Sequence, residues 1–344
     1  MTKAYYERAV RRADDWGRRI VAHEPCPVCD AREARVTYDV EGLASQLVTC
    51  ENCGTGRLFP LPSEAEIEAF YPEAYYGDPS AAKFLLPVEW LVRLIGGRHV
   101  RFFLRELAPA ARVLDVGCGR GVLLREIAER GFEAHGVEAN APAARGADPR
   151  AEVRIAPRLA DAGYPAAFFD EVVIWHVLEH LRDPGGTLEE VRRILRPGGR
   201  LVVAVPNFSS AQARWAGPAW FHLDLPRHLF HFPLPALVQL LERCGFVIES
   251  EHHFSLRQNP FGWVQSALNM RSLPRNGLYT LLHDRAAHTG SGAAFDSMTQ
   301  LKLFTGGALA LPPALVLTLF ESWFRTGATV HVVARVAPAP QTGA

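Results

Sequence analysis

The sequence has no excess of charge of either sign: Lys and Arg together number 37, and so do Asp and Glu. Without a basic field or a block of like charges, nucleic acid is not an expected partner, and small-molecule chemistry is. An apolar core is also missing from the first twenty residues, MTKAYYERAVRRADDWGRRI. A secretory leader needs one, so the chain is expected to stay in the cytoplasm, and the charge spacing predicts an N-terminal helix over residues 1–20. Cysteine is scarce, six among 344 residues. In a reducing compartment such a set does not make a disulfide framework, and metal binding becomes the better reading.

Four of the six cysteines have the spacing for it. Cys26-Pro-Val-Cys29 and Cys50-Glu-Asn-Cys53 form two C-x2-C turns, the pattern of a four-cysteine zinc ribbon over residues 21–62. Four thiolates leave no position for water, so the expected Zn2+ is structural and holds a segment with too little core to fold alone. Cys118 and Cys244 stand apart and read as small packing residues. Beyond the ribbon, Ser63 with Glu66 predicts a capping box, and apolar positions from Phe84 to Leu107 predict a helical connector over residues 63–110.

From Ala111 strands and helices alternate. Strands are expected at Val113–Val116, Glu133–Val137, Val153–Ile155, Asp170–Trp175 and Arg200–Val205, with helices at Val122–Arg130, Leu188–Leu195 and Pro235–Cys244. The pattern predicts a doubly wound α/β sheet whose ligands bind at the carboxyl ends of its strands. At the first such end stands RVLDVGCGRGVLL, and what it lacks is informative. A dinucleotide fingerprint needs a glycine where this chain has Val122, so Gly117, Gly119 and Gly121 do not make a pyrophosphate turn for NAD. Alternate glycines after the acidic Asp115 instead let the backbone approach a ligand such as the amino-acid end of S-adenosylmethionine. Glu138, at the end of the next strand, is placed to accept ribose hydroxyl protons.

The segments VLDVGCGRGVLL, GVEAN, FFDEVVIWHVLEHLRDP and RRILRPGGRLVVAVPN together resemble class I S-adenosylmethionine-dependent methyltransferases of the group that includes ubiquinone-type O-methyltransferases. The likeness covers about Val113 to Phe254. It implies a Rossmann-like seven-stranded sheet, with Asp115, Gly117, Gly119 and Gly121 at the methionine end, Glu138 at the ribose, Leu159 beside the adenine, and Trp175 and His176 beside the sulfonium. It also implies two last strands, matched by Gly245–Phe254 and Ala328–Val336. The methyltransferase domain is thus expected at 111–255 with 328–337, and residues 338–344 as a disordered tail.

The intervening residues 256–327 form an apolar insertion. Leu303 to Phe320 carries no charge and is long enough for a membrane crossing. A crossing is not expected, because the flanking strands return to one sheet. Gly306-Gly307 and Pro312-Pro313 predict an interrupted helix. Two readings stay open: an interfacial or re-entrant hairpin in one leaflet, peripheral on the inner face of the membrane, or a lid or dimer contact.

A base for the transfer is sought after the fifth strand, where PNFSSAQARWAGPAWFHLDLPRHLFHFP supplies His222, His228 and His231 beside Asp224 and Arg227. The four-cysteine module followed by FYPEAYYGD also resembles nucleotide-sugar C-methyltransferases, which implies His228 and Tyr76, with Tyr75 as the less exact match, near a sugar. Arg227 stands where that family carries an acid, and the family's long C-terminal domain is not among these 344 residues. His222 and His180 are further candidates, and His252 and His253 read as structural. The expected activity is methyl transfer to an oxygen or carbon of a lipid-linked, isoprenoid or sugar acceptor. The alternatives are a soluble nucleotide-sugar enzyme with the insertion as lid, and a non-catalytic module that binds cofactor and partners.

Overall fold

The computed structural model describes residues 10–71, 103–104, 106–287 and 295–337. By backbone proximity the chain separates into two compact units, Met1–Gly96 with Pro206–Leu234 and His253–Val330, and Gly97–Val205 with Pro235–His252 and His331–Ala344. The expected partition is thereby corrected. Residues 206–234, assigned from sequence to the α/β domain, group with the cysteine module and the insertion.

The second unit is built on strands β6 (Arg112–Val116), β7 (Glu133–Glu138), β8 (Glu152–Ile155), β9 (Phe169–Trp175), β10 (Leu195–Pro206), β12 (Phe246–His252) and β13 (Thr329–Val336). They lie in the order β12-β13-β10-β9-β6-β7-β8. Neighbours from β10 to β8 run parallel, and β12 pairs antiparallel with β13. Strands covered on both faces read as continuous apolar runs, as VVIW and LVVAV do here. The chain passes outward from β6 through β7 to β8, then returns to the other side of β6 with β9. That reversal makes a switch point between β6 and β9, where ligands of open α/β sheets bind. Val113, Leu124, Ile127, Val173, Val202 and Val333 belong to the core beneath it. The expected seven-stranded fold is present.

The first unit begins with a six-stranded sheet. Strands β1 (Val10–Arg12), β2 (Arg19–Val21), β3 (Glu33–Val40), β4 (Gln46–Cys50) and β5 (Gly56–Phe59) are joined by β11 (Phe230–His231), in the order β1-β3-β4-β5-β11 with β2 also on β3. The predicted N-terminal helix is corrected over its described part: Val10 pairs with Val40 and Arg19 with Arg35. Gly17, at φ 81°, turns the chain between the two short strands, and Ala13 enters the small core with Ala34, Val36 and Val48. Charge spacing imitated a helix where edge strands alternate. The predicted capping box at Ser63 and Glu66 opens the helix Glu64–Ala69. Beyond Tyr71 the predicted connector lies outside the described residues except for Phe103, Leu104 and residues 106–110, and so does the predicted tail at 338–344.

The insertion contributes helices Asn259–Asn269, Gly277–Ala287 and Ser297–Trp323. The last corrects the expected interruption, since one 27-residue helix continues through Gly306-Gly307 and Pro312-Pro313. Its glycines serve close approach instead: a Cβ at Gly306 would stand 2.9 Å from Leu268 and one at Gly307 2.9 Å from Leu278. Packing on the helix Asn259–Asn269 carries the chain past the two donors that the prolines remove.

Candidate active site

The glycine turn forms where β6 ends. Gly117, Gly119 and Gly121 have φ of 71°, 50° and 69°, the left-handed region that other residues enter at a cost. Their surroundings differ. A Cβ at Gly117 would come within 2.6 Å of Val177, and one at Gly121 within 2.9 Å of Ala147, whereas one at Gly119 would meet nothing within 4 Å. Two glycines therefore permit packing, and Gly119 is the one that presents bare backbone to open space. The amides of Gly117 and Cys118 both donate to the Val137 carbonyl, at 2.8 and 3.1 Å, which ties the turn to β7. Cys118 is buried against Gly136, the packing role expected of it.

Two carboxyl groups stand at this turn. Glu138 accepts from the Gly119 amide at 2.9 Å and the Asn140 amide at 3.0 Å, one on each oxygen. Carboxylate oxygens have further lone pairs, so ribose hydroxyls can still donate to them. Asp115 is buried, and its carboxyl is pushed up to about 8 by burial and then by the nearby Glu138 charge. A buried acid next to a second acid suits a cationic ligand, which the ammonium and sulfonium of S-adenosylmethionine provide.

The other predicted cofactor residues follow or end strands β8 and β9. Val116 pairs with Ile174, so Trp175 ends β9 beside Gly117. Trp175 lies against His331, ring centroids 4.9 Å apart, with Phe103 edge-on at 5.5 Å. His176 has φ 54°, donates its amide to the Ala204 carbonyl at 2.9 Å, and holds Nδ1 3.4 Å from Glu179 Oε1. Leu159 is buried in a short turn after β8. His180 sits in the turn Leu178–His180.

The histidines that follow β10 belong to the first unit. His228 is buried, with Nδ1 3.0 Å from the His222 carbonyl. A carbonyl only accepts, so that contact places the proton on Nδ1. Asp224 Oδ2 lies 3.7 Å from Nε2, and Asp224 also binds Arg227. His222 is buried between the Trp220 and Phe221 rings, and its Nε2 would lie 2.7 Å from a Cβ at Gly262. Its backbone carbonyl accepts from His228 Nδ1. His231 donates from Nε2 to the Leu223 carbonyl at 2.9 Å. Tyr75 and Tyr76 lie outside the described residues.

Sequence reasoning missed what carries this loop. Phe230 pairs with Arg57 and His231 with Gly56, while the Leu58 amide donates to the Leu229 carbonyl at 3.0 Å. The alternation in His-Leu-Phe-His-Phe was the available signal.

Strand β5 begins directly after the second cysteine turn. All four sulfurs lie within 4.8 Å of one another, with Cys26–Cys53 and Cys29–Cys50 at 3.6 Å. A tetrahedron of sulfurs about 2.3 Å from an ion has edges of about 3.8 Å, so the four residues could hold one. The two turns repeat each other. Cys26 donates to Ala31 and accepts from Asp30 at 2.8 and 2.9 Å, and Cys50 donates to Thr55 and accepts from Gly54 at 2.9 and 3.0 Å. Arg57 reaches back from β5 to the carbonyls of Glu24 and Pro25, both at 2.7 Å. Burial pushes the Cys50 thiol up, and the hydrogen bond from Cys26 draws Cys53 down to about 5.

Comparison with known proteins agrees with the geometry. A family model described as a methyltransferase domain matches residues 89–251. A ubiquinone biosynthesis O-methyltransferase of Ruegeria pomeroyi is 30% identical over 65% of this chain and 96% of its own length. A probable S-adenosylmethionine-dependent methyltransferase of Mycolicibacterium smegmatis is 34% identical over 40% of this chain and 52% of its own, and an Alkalilimnicola ehrlichii ubiquinone biosynthesis O-methyltransferase is 32% identical over 36% and 48%. The chain thus spans about half the length of these last two. Among solved structures, a putative sarcosine dimethylglycine methyltransferase of Galdieria sulphuraria aligns over 80% of this chain and 99% of its own at 13% identity and a TM-score of 0.49. With a glycine turn and paired acids at the switch point, and a relative aligned over nearly its whole length, the chain belongs to the class I S-adenosylmethionine-dependent methyltransferases.

Proposed function

We propose that this enzyme methylates an oxygen or carbon of a lipid-linked, isoprenoid or sugar acceptor, as a peripheral protein of the inner membrane face that touches lipid through residues 303–320. The exposed apolar surface of the helix Ser297–Trp323 carries this reading. The relatives named for ubiquinone biosynthesis support the isoprenoid option. S-adenosylmethionine supplies a methyl group already activated by its sulfonium. The acceptor atom forms a bond to the methyl carbon as the carbon–sulfur bond breaks, and that electron pair stays on sulfur. His228 Nε2 takes the acceptor's proton, and Asp224 stabilises the imidazolium that results. Asp115 and the Gly119 backbone hold the amino-acid end, and Glu138 orients the ribose.

Cys26, Cys29, Cys50 and Cys53 hold a structural Zn2+ in this reading, supported by their sulfur spacing and by the small core of the module. A soluble nucleotide-sugar C-methyltransferase is favoured by one observation, the cysteine module whose sheet carries the histidine loop. Methyl-labelled S-adenosylmethionine given to the enzyme with cell extract separates the two. Label entering the organic phase is the expected result. Label confined to water-soluble sugar nucleotides would overturn the lipid-linked reading.

A further inference from the structure

The helix Ser297–Trp323 has an arrangement opposite to that of a helix dissolved in water. Its buried stripe is Leu303, Gly307, Ala314, Thr318 and Glu321, mostly small or polar. Its large apolar side chains face outward: Leu309 is 79% exposed, Leu319 62% and Trp323 83%, with Leu311, Val316 and Phe320 also exposed. Its two charged residues are Lys302, near the start, and Glu321, which is turned inward to accept from the Trp263 indole at 3.0 Å. Small residues inside and leucines outside are the packing rule of helices in lipid, where close approach rather than escape from water holds helices together. The hydroxyls follow the same rule. Thr305, Thr318 and Ser322 donate to the carbonyls of Leu301, Ala314 and Thr318, at 2.7, 2.8 and 2.7 Å, so none requires water.

The width of the exposed surface selects the occupant. At about 100° per residue, Leu311, Leu315, Leu319, Trp323, Val316, Phe320 and Leu317 sweep an arc of roughly 240°. A second copy of this chain would cover one stripe and leave the rest wet. Acyl chains cover the whole arc. Exposure also runs along the full length, from Leu301 to Phe324, while the opposite side packs on the unit. The far end is tied down, with the Ala211 amide donating to the Thr326 carbonyl at 3.1 Å and the Thr326 amide to the Glu321 carbonyl at 2.7 Å.

We infer that this helix lies in the plane of the membrane, sunk along its whole length into the acyl region of one leaflet without crossing it. The inference deepens the proposed reading and rests on it only for the acceptor that the membrane presents. Lys302 and Arg325 reach from the acyl region to the headgroups along their alkyl stems, and Trp323 and Phe324 anchor the C-terminal end.

The test uses the full chain with phosphatidylcholine vesicles. Flotation is expected for the native sequence, and Leu309→Glu and Trp323→Glu are each expected to lower the bound fraction about tenfold or more. Both positions are exposed, so melting temperatures should be unaltered. Leu309→Cys and Trp323→Cys, each labelled with an environment-sensitive dye, then report depth through quenchers on the acyl chains. Equal, shallow quenching at both sites supports the inference. Quenching at one site alone, depths on opposite leaflets, flotation indifferent to the glutamates, or a dimer that hides both dyes without vesicles would overturn it. The acceptor reading is tested separately: flotation without organic-phase label leaves the membrane contact standing and removes the lipid-linked acceptor.

Discussion

At the scale of single residues, the three glycines of the turn should separate by experiment. Gly117→Ala adds a clash with Val177 to an unfavourable φ and should cost roughly 2–4 kcal/mol of stability. Gly119→Ala meets no neighbour and should cost about 1–2 kcal/mol, yet weaken cofactor binding more. Thermal melts beside calorimetric titration read both. Asp115 gives a pH signature. Its carboxyl is raised from an ordinary 3.8 to about 8, so between those values the folded chain holds a proton that the unfolded chain releases. Its contribution to stability is therefore fully present below about pH 4 and is lost as pH rises toward 8. A bound cation favours the ionised form, so S-adenosylmethionine should bind more tightly as pH rises to about 8, with proton release below it. Titrations in buffers of different ionisation heat measure that release, and Asp115→Asn should abolish the trend. For the base, His228→Gln should lower kcat about 100- to 10,000-fold and leave cofactor affinity in place.

At the scale of elements, the pairing of β5 with β11 links the cysteine turns to the histidine loop. Metal chelation, or Cys53→Ser, should raise hydrogen exchange at Leu58 and through Leu229–Phe232, while cofactor binding at the glycine turn persists. Unaltered exchange in that loop would refute the link. This is also where sequence legibility ends. The glycine turn and the cysteine turns were readable because backbone conformation and ligand spacing fix them within a few residues. The β5–β11 pair was not, since two-residue strands owe their conformation to a partner far along the chain. The long helix misled for the same reason: Pro312 and Pro313 break an isolated helix, and packing on the helix Asn259–Asn269 keeps this one whole. Residues 10–20 form edge strands where a helix is expected, because charge periodicity does not distinguish a surface helix from an edge of sheet.

At the scale of the molecule, the insertion is not an appendage. Asn259 accepts from the Thr329 amide at 3.1 Å, and the space beside Gly327 is filled by the His253 carbonyl. Deleting residues 260–325 should therefore destabilise the first unit as a whole, visible as a lost or broadened melting transition, where single outward substitutions would not. The division of the chain has a consequence for recombination. Because residues 206–234 share a sheet with residues 10–59, the segment after β10 is not an independent cassette. Grafting it alone from a relative would leave β5 with a foreign edge. A designer seeking a new acceptor would have to transplant both stretches together, as two separated pieces of one inheritance.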